Sequence, residues 1–171
     1  IPYFKYVLYV PGNHEYYYYY NNNQPSLPMK ELKQLLDRME NSFDNFLILD
    51  RKSVQIGDIC ISGVTLWSDL KCNIPKFIVK IKDMTTHSYT QHYLDDLEYI
   101  NNSIIYCKRN NLKLLCVSHH APTYDTLIGT TKQSRFLSMY ASNLDHLLTS
   151  DQIHTWVCGH VHKNFDFFTS N

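Results

Sequence analysis

The chain has 171 residues, zero formal net charge and 44 % hydrophobic residues. That length supports one domain, spanning residues 1–171, with a buried core, and that composition excludes a disordered chain. The charge balance gives nucleic acid no global basic field to follow, and no apolar run approaches the roughly 18 residues of a membrane helix.

Taken in order, residues 6–10 form a short apolar run stopped by Pro11-Gly12, which predicts a strand and a turn. A tyrosine run followed by asparagines fills residues 16–25 and is expected to form a surface loop with no regular element. Leu32, Leu35, Leu36 and Met39 recur at helical spacing, with Ser26 as the expected cap. Residues 46–49, 53–56 and 59–64 read as strands, the last two joined by a hairpin turn at Gly57-Asp58. Tyr93, Leu97, Ile100, Ile104 and Cys107 mark one face of a second helix, with Thr90 as its expected cap. Residues 112–117 read as a buried strand. Ser142 is the expected cap of a third helix carrying Leu144, Leu147 and Leu148. Strands at 154–158 and 165–168 complete an α/β layered pattern.

Five cysteines (Cys60, Cys72, Cys107, Cys116 and Cys158) are scattered without a CxxC spacing. An odd number in that arrangement argues against a disulfide framework and for a reducing, cytoplasmic compartment.

One pattern occurs three times. The strand at 6–10 runs into Gly12-Asn13-His14-Glu15, the strand at 112–117 into Ser118-His119-His120-Ala121-Pro122, and the strand at 154–158 into Gly159-His160-Val161-His162. Each buried strand delivers imidazole or amide groups just past its carboxyl end, the edge where open α/β sheets bind ligands. Neutral imidazole and an amide oxygen suit first-row divalent ions. His87, His92, His146 and His154 have no such context and read as ordinary histidines. A rival use of the same residues is a structural zinc module built from Cys116, His119, Cys158 and His160.

These three segments resemble the third, fourth and fifth motifs of the calcineurin-like metallophosphoesterases. Gly63-Val64-Thr65-Leu66-Trp67-Ser68 also resembles a strand ending of bacterial-type members. The resemblance implies a two-sheet sandwich flanked by helices, here incomplete at both ends. It implies two divalent ions (Mn, Fe or Zn) and hydrolysis of phosphate mono- or diesters by metal-activated hydroxide. Asn13, His119 and His160 would bind one ion and His162 the other. His14 would contact the phosphate and protonate the leaving oxygen, with Glu15 orienting it. His120 is the less certain partner of its pair. The family's Asp-x-His and Gly-Asp motifs do not precede Asn13, and Gly57-Asp58, in a hairpin, is a poor substitute for the bridging aspartate. The chain alone is therefore expected to hold at most one ion well and to hydrolyse esters poorly or not at all. The alternative is a degenerate, non-catalytic metal-binding or interaction scaffold of the same fold.

Overall fold

The computed structural model describes residues 3–18, 27–127, 136–149 and 151–169. Strand β1 (Val7–Tyr9) pairs in parallel with β2 (Phe46–Ile48), and the chain between them carries helix α1 (Met29–Glu40). Met29, Leu32 and Leu36 of α1 pack against the core, whereas Leu35 and Met39 are exposed. The apolar stripe is thus narrower than the sequence suggested. Pro28 stands at the helix N-cap, and Ser26 lies outside the described residues.

The second sheet has the order β3-β4-β5-β6. β3 (Lys52–Ile56) and β4 (Ile59–Val64) form the expected hairpin around Gly57-Asp58. β4, β5 (Lys113–Ser118) and β6 (Thr155–Cys158) run parallel, so their carboxyl ends share one edge of the sheet. The two sheets meet closely at Gly63, where an added Cβ would lie 2.3 Å from Leu49 Cβ and 3.0 Å from Val10 Cγ2. Two sheets with three helices, among the described residues, match the layered sandwich that the motifs imply.

Helix α2 (Thr86–Asn110) returns the chain from β4 to β5. Its cap is Thr85 and not Thr90: Thr85 Oγ1 accepts the Ser88 N–H, and Ser88 Oγ accepts the Thr85 N–H. The apolar period begins only at Tyr89, so periodicity alone hid the polar first turn. Ile100 on α2 and Leu114 on β5 are each 1 % exposed, and their burial contributes about 2 kcal/mol apiece. Asn111 ends α2 in the left-handed region, its N–H bonded to the Cys107 carbonyl.

Three other expectations change. Helix α3 (Asp145–Leu148) is a single turn capped at Leu144; Ser142 Oγ instead accepts the Asp69 N–H at 3.0 Å. Residues 165–168 form no strand, and Phe168 is exposed. Tyr16 is not on a surface loop: it ends a 3-10 turn (His14–Tyr16) and is 1 % exposed in the core. Residues 19–25 of that expected loop lie outside the described residues. Among the described residues, no helix is long and apolar enough to cross a membrane.

Candidate metal centre

Four strand ends are stitched into one cleft by hydrogen bonds. Thr65, just past β4, donates its hydroxyl to the Pro11 carbonyl at 2.9 Å. The N–H groups of His119 and His120 donate to the carbonyls of Val64 and Thr65. Gly159 N–H then donates to the His119 carbonyl at 3.1 Å. The loop after β1 can reach His119 only because residue 12 is glycine: a Cβ there would lie 2.5 Å from both Cε1 and Nδ1 of the His119 ring. His160 and His162 both have positive φ, 64° and 53°. Such conformations cost of order 1 kcal/mol or more for a non-glycine residue and collect at functional sites.

Within the cleft, His119 Nε2 lies 2.8 Å from Asn13 Oδ1 and 3.0 Å from His160 Nδ1. One ring nitrogen carries at most one proton, so it cannot donate to both neighbours at once. The Met139 carbonyl accepts a hydrogen bond from the His160 ring. A neutral His160 ring leaves one nitrogen unprotonated, and Nδ1 is the nitrogen turned to His119. Three atoms able to offer a lone pair, Asn13 Oδ1, His119 Nε2 and His160 Nδ1, thus converge. Donors at right angles, each about 2.1 Å from a shared cation, sit about 3.0 Å apart, close to the spacing His119 Nε2 has to each of its two neighbours.

Electrostatics agree with that fit. Burial holds the His119 imidazole down to about 4, and burial together with His119 holds His160 down to about 3. Both rings are therefore neutral near neutral pH, the form that ligates metal. Among the described residues, no three His, Cys, Asp or Glu side chains are grouped to hold an ion. The donor set depends on the amide of Asn13. The same observation counts against the zinc module of Cys116, His119, Cys158 and His160, and Cys116 is buried in the core. Asp58 pairs with Lys113 at the start of β5, the opposite end of the sheet from the cleft, so it is no bridging ligand.

The remaining residues divide. His162 and His14 line the cleft, and His14 is exposed there, stacked on Tyr17 with ring centres 4.5 Å apart. The Glu15 carboxylate hydrogen-bonds within the turn itself. Its Oε1 accepts the Tyr9 hydroxyl at 2.6 Å and its Oε2 accepts the Gly12 N–H at 2.7 Å. It braces the turn that presents Asn13 and His14. His120 is 1 % exposed and belongs to the scaffold, its Nδ1–H donating to the Thr65 carbonyl at 3.2 Å. Its ring rests beside Trp67, and its carbonyl accepts the Ser118 hydroxyl, which in turn accepts the Trp156 indole N–H. Tyr17 was missed in the sequence because it sits in the tyrosine run. Its signal was the separation of four residues from Asn13, whose Nδ2 donates to the Tyr17 hydroxyl at 3.0 Å.

A family model for calcineurin-like phosphoesterases matches residues 1–164. An uncharacterized protein of Acanthamoeba polyphaga mimivirus is 28 % identical over 188 aligned positions, covering 97 % of this chain and 65 % of that protein. The chain thus spans slightly less than two thirds of that relative's length. No solved structure matches it. With nearly its whole length matched and the motif residues gathered at one sheet edge, the chain belongs to the calcineurin-like phosphoesterase family.

Proposed function

We propose that this chain serves metal-dependent hydrolysis of phosphate esters, mono- or diesters, in the cleft at the carboxyl ends of β1, β4, β5 and β6. The observation that supports this best is the approach of Asn13 Oδ1 and His160 Nδ1 to the same atom, His119 Nε2. Those atoms would hold a divalent cation, and His162, on the same cleft, would face a second. A cation bound there supplies Lewis acidity toward phosphate oxygens and acidifies water enough for attack near neutral pH. The side chains do the rest. Half-buried, neutral His119 and His160 each keep one ring nitrogen free of a proton. Glu15 holds the turn so that His14 stands in the cleft. His14 gives a proton to the departing ester oxygen as water oxygen bonds to phosphorus and the P–O ester bond breaks.

The test is turnover of bis-p-nitrophenyl phosphate and p-nitrophenyl phosphate with added Mn²⁺. Slow, chelator-sensitive hydrolysis is expected, lost in His119→Ala and reduced in His14→Ala. Hydrolysis that survives both chelator and His119→Ala would sink the reading. A second reading, a metal-binding scaffold without turnover, is favoured by the donor set itself, whose three members include no carboxylate. Metal bound with neither ester hydrolysed would select it.

A further inference from the structure

We infer that Tyr17 is a positioning residue that couples the metal-ligand amide of Asn13 to the proton-donor ring of His14. The inference rests on the metal reading above and adds to it a residue outside the family's motifs.

An asparagine ligand has a weakness that a carboxylate lacks. Its amide has two ends of similar size, and only the oxygen has a lone pair for a cation. A rotation of half a turn about χ2 would aim two N–H groups at the donor cluster. In this protein Asn13 Oδ1 faces His119 at 2.8 Å, and its Nδ2 donates to the Tyr17 hydroxyl at 3.0 Å. The Tyr17 oxygen takes an amide hydrogen on the side away from His119 and so keeps the carbonyl oxygen turned inward. A cation pulling charge from Oδ1 makes the Nδ2 hydrogens better donors, so ligation and this bond reinforce each other.

The same ring carries a second contact. Tyr17 lies 4.5 Å from the His14 ring centre, the planes inclined by 25°, so the two are stacked. His14 is otherwise exposed, and a long excursion of its ring would take the proton donor out of the cleft. Tyr17 is itself anchored. Its ring packs against the main hydrophobic core, and the next residue, Tyr18, donates its N–H to the Lys80 carbonyl at 2.8 Å. A rigid phenol therefore holds two neighbouring active groups, one by its hydroxyl and one by its face. This separates into two variants: Tyr17→Phe removes the hydroxyl and keeps the stack, and Tyr17→Leu removes both.

The experiment uses the 171-residue chain with Co²⁺ as the probe. Calorimetric titration gives affinity, the visible d–d spectrum reports the ligand field, and ¹⁵N-resolved spectra follow the Asn13 side-chain NH₂. The expected result is that Tyr17→Phe weakens Co²⁺ binding by about tenfold, the low end for loss of a ligand's supporting hydrogen bond. It also changes the d–d spectrum and abolishes the hydrogen-bond shift of one Asn13 amide proton, with thermal unfolding little altered. Tyr17→Leu should match Tyr17→Phe in Co²⁺ affinity but, unlike it, should broaden the His14 ring resonances. Wild-type affinity, spectrum and Asn13 amide shift in Tyr17→Phe would overturn the inference while leaving the metal reading intact. Failure of the wild-type chain to bind Co²⁺ would overturn both. The Asn13 amide shift is read without metal and decides the hydrogen bond even for a variant of lowered stability.

Discussion

His160 Nδ1 lies 3.0 Å from His119 Nε2, although the two residues are 41 positions apart in the chain. The parallel pairing of β5 with β6 brings them together, because it aligns Ser118 with Cys158 and so releases both histidines at the same sheet edge. The Gly159 N–H bond to the His119 carbonyl then fixes the two turns to each other. A contact of two neutral, half-buried imidazole nitrogens is unfavourable unless a proton or a cation lies between them. That relationship underlies the functional reading.

The adjacent histidines are expected to fail differently. His119→Ala should lower metal affinity by more than about a hundredfold, beyond the usual loss for an outer-shell partner, with little loss of stability. His120→Ala removes a fully buried, hydrogen-bonded ring beside Trp67 and should cost about 2–4 kcal/mol of stability. Its metal affinity should stay within about tenfold of wild type. Denaturant unfolding paired with calorimetric metal titration measures both quantities on each variant.

Gly12→Ala tests the packing of the cleft. The new methyl would stand 2.5 Å from two atoms of the His119 ring, so the ring or the Asn13 loop must move. Overpacking of this kind costs about 1–3 kcal/mol. Metal affinity should fall by at least tenfold, because the displaced atom is a ligand's neighbour (about 1.4 kcal/mol per decade). Unchanged affinity would show that His119 is free to shift.

Asp96 makes a pH prediction away from the cleft. It is 1 % exposed on α2, and burial raises its carboxyl to about 7, outweighing the partly exposed Arg51 guanidinium 3.2 Å away. The folded chain therefore binds a proton that the unfolded chain has released between the ordinary carboxyl value of 3.8 and about 7. The contribution of Asp96 to stability is full below that window, falls as pH rises through it, and is gone above it. In Asp96→Asn that component disappears, so the difference in unfolding free energy between variant and wild type should shift in the variant's favour across the window. Thermal unfolding of both proteins at a series of pH values checks the sign.

Gly63→Ala tests the meeting of the two sheets. The added Cβ would lie 2.3 Å from Leu49 Cβ and 3.0 Å from the Leu49 backbone oxygen, which cannot rotate away. A loss of about 1–3 kcal/mol is expected in denaturant unfolding.

The sequence showed the strands, the hairpin and the three motif-bearing edges because buried apolar runs and turn residues are local signals. Asn13, His119 and His160 stood out for the same reason: each lies within four residues of a strand's carboxyl end. What was not legible depends on distant partners. Thr85 caps α2 through polar contacts that precede the apolar period, and Ser142 is drawn from its expected helix by the Asp69 N–H. Glu15 resembles a residue that orients His14, yet Tyr9 and Gly12 hold both its oxygens. Tyr16 and Tyr17 look like members of one biased run, but one fills the core and the other faces Asn13 and His14. Composition cannot separate such neighbours, because alternate residues of the turn meet different surroundings.

The most direct measurement is anomalous scattering from crystals of the chain grown with Mn²⁺. The account predicts a peak bonded at about 2.0–2.3 Å to Asn13 Oδ1, His119 Nε2 and His160 Nδ1 together. A fully occupied Mn²⁺ peak elsewhere, with those three atoms bonded only to one another or to solvent, would contradict it.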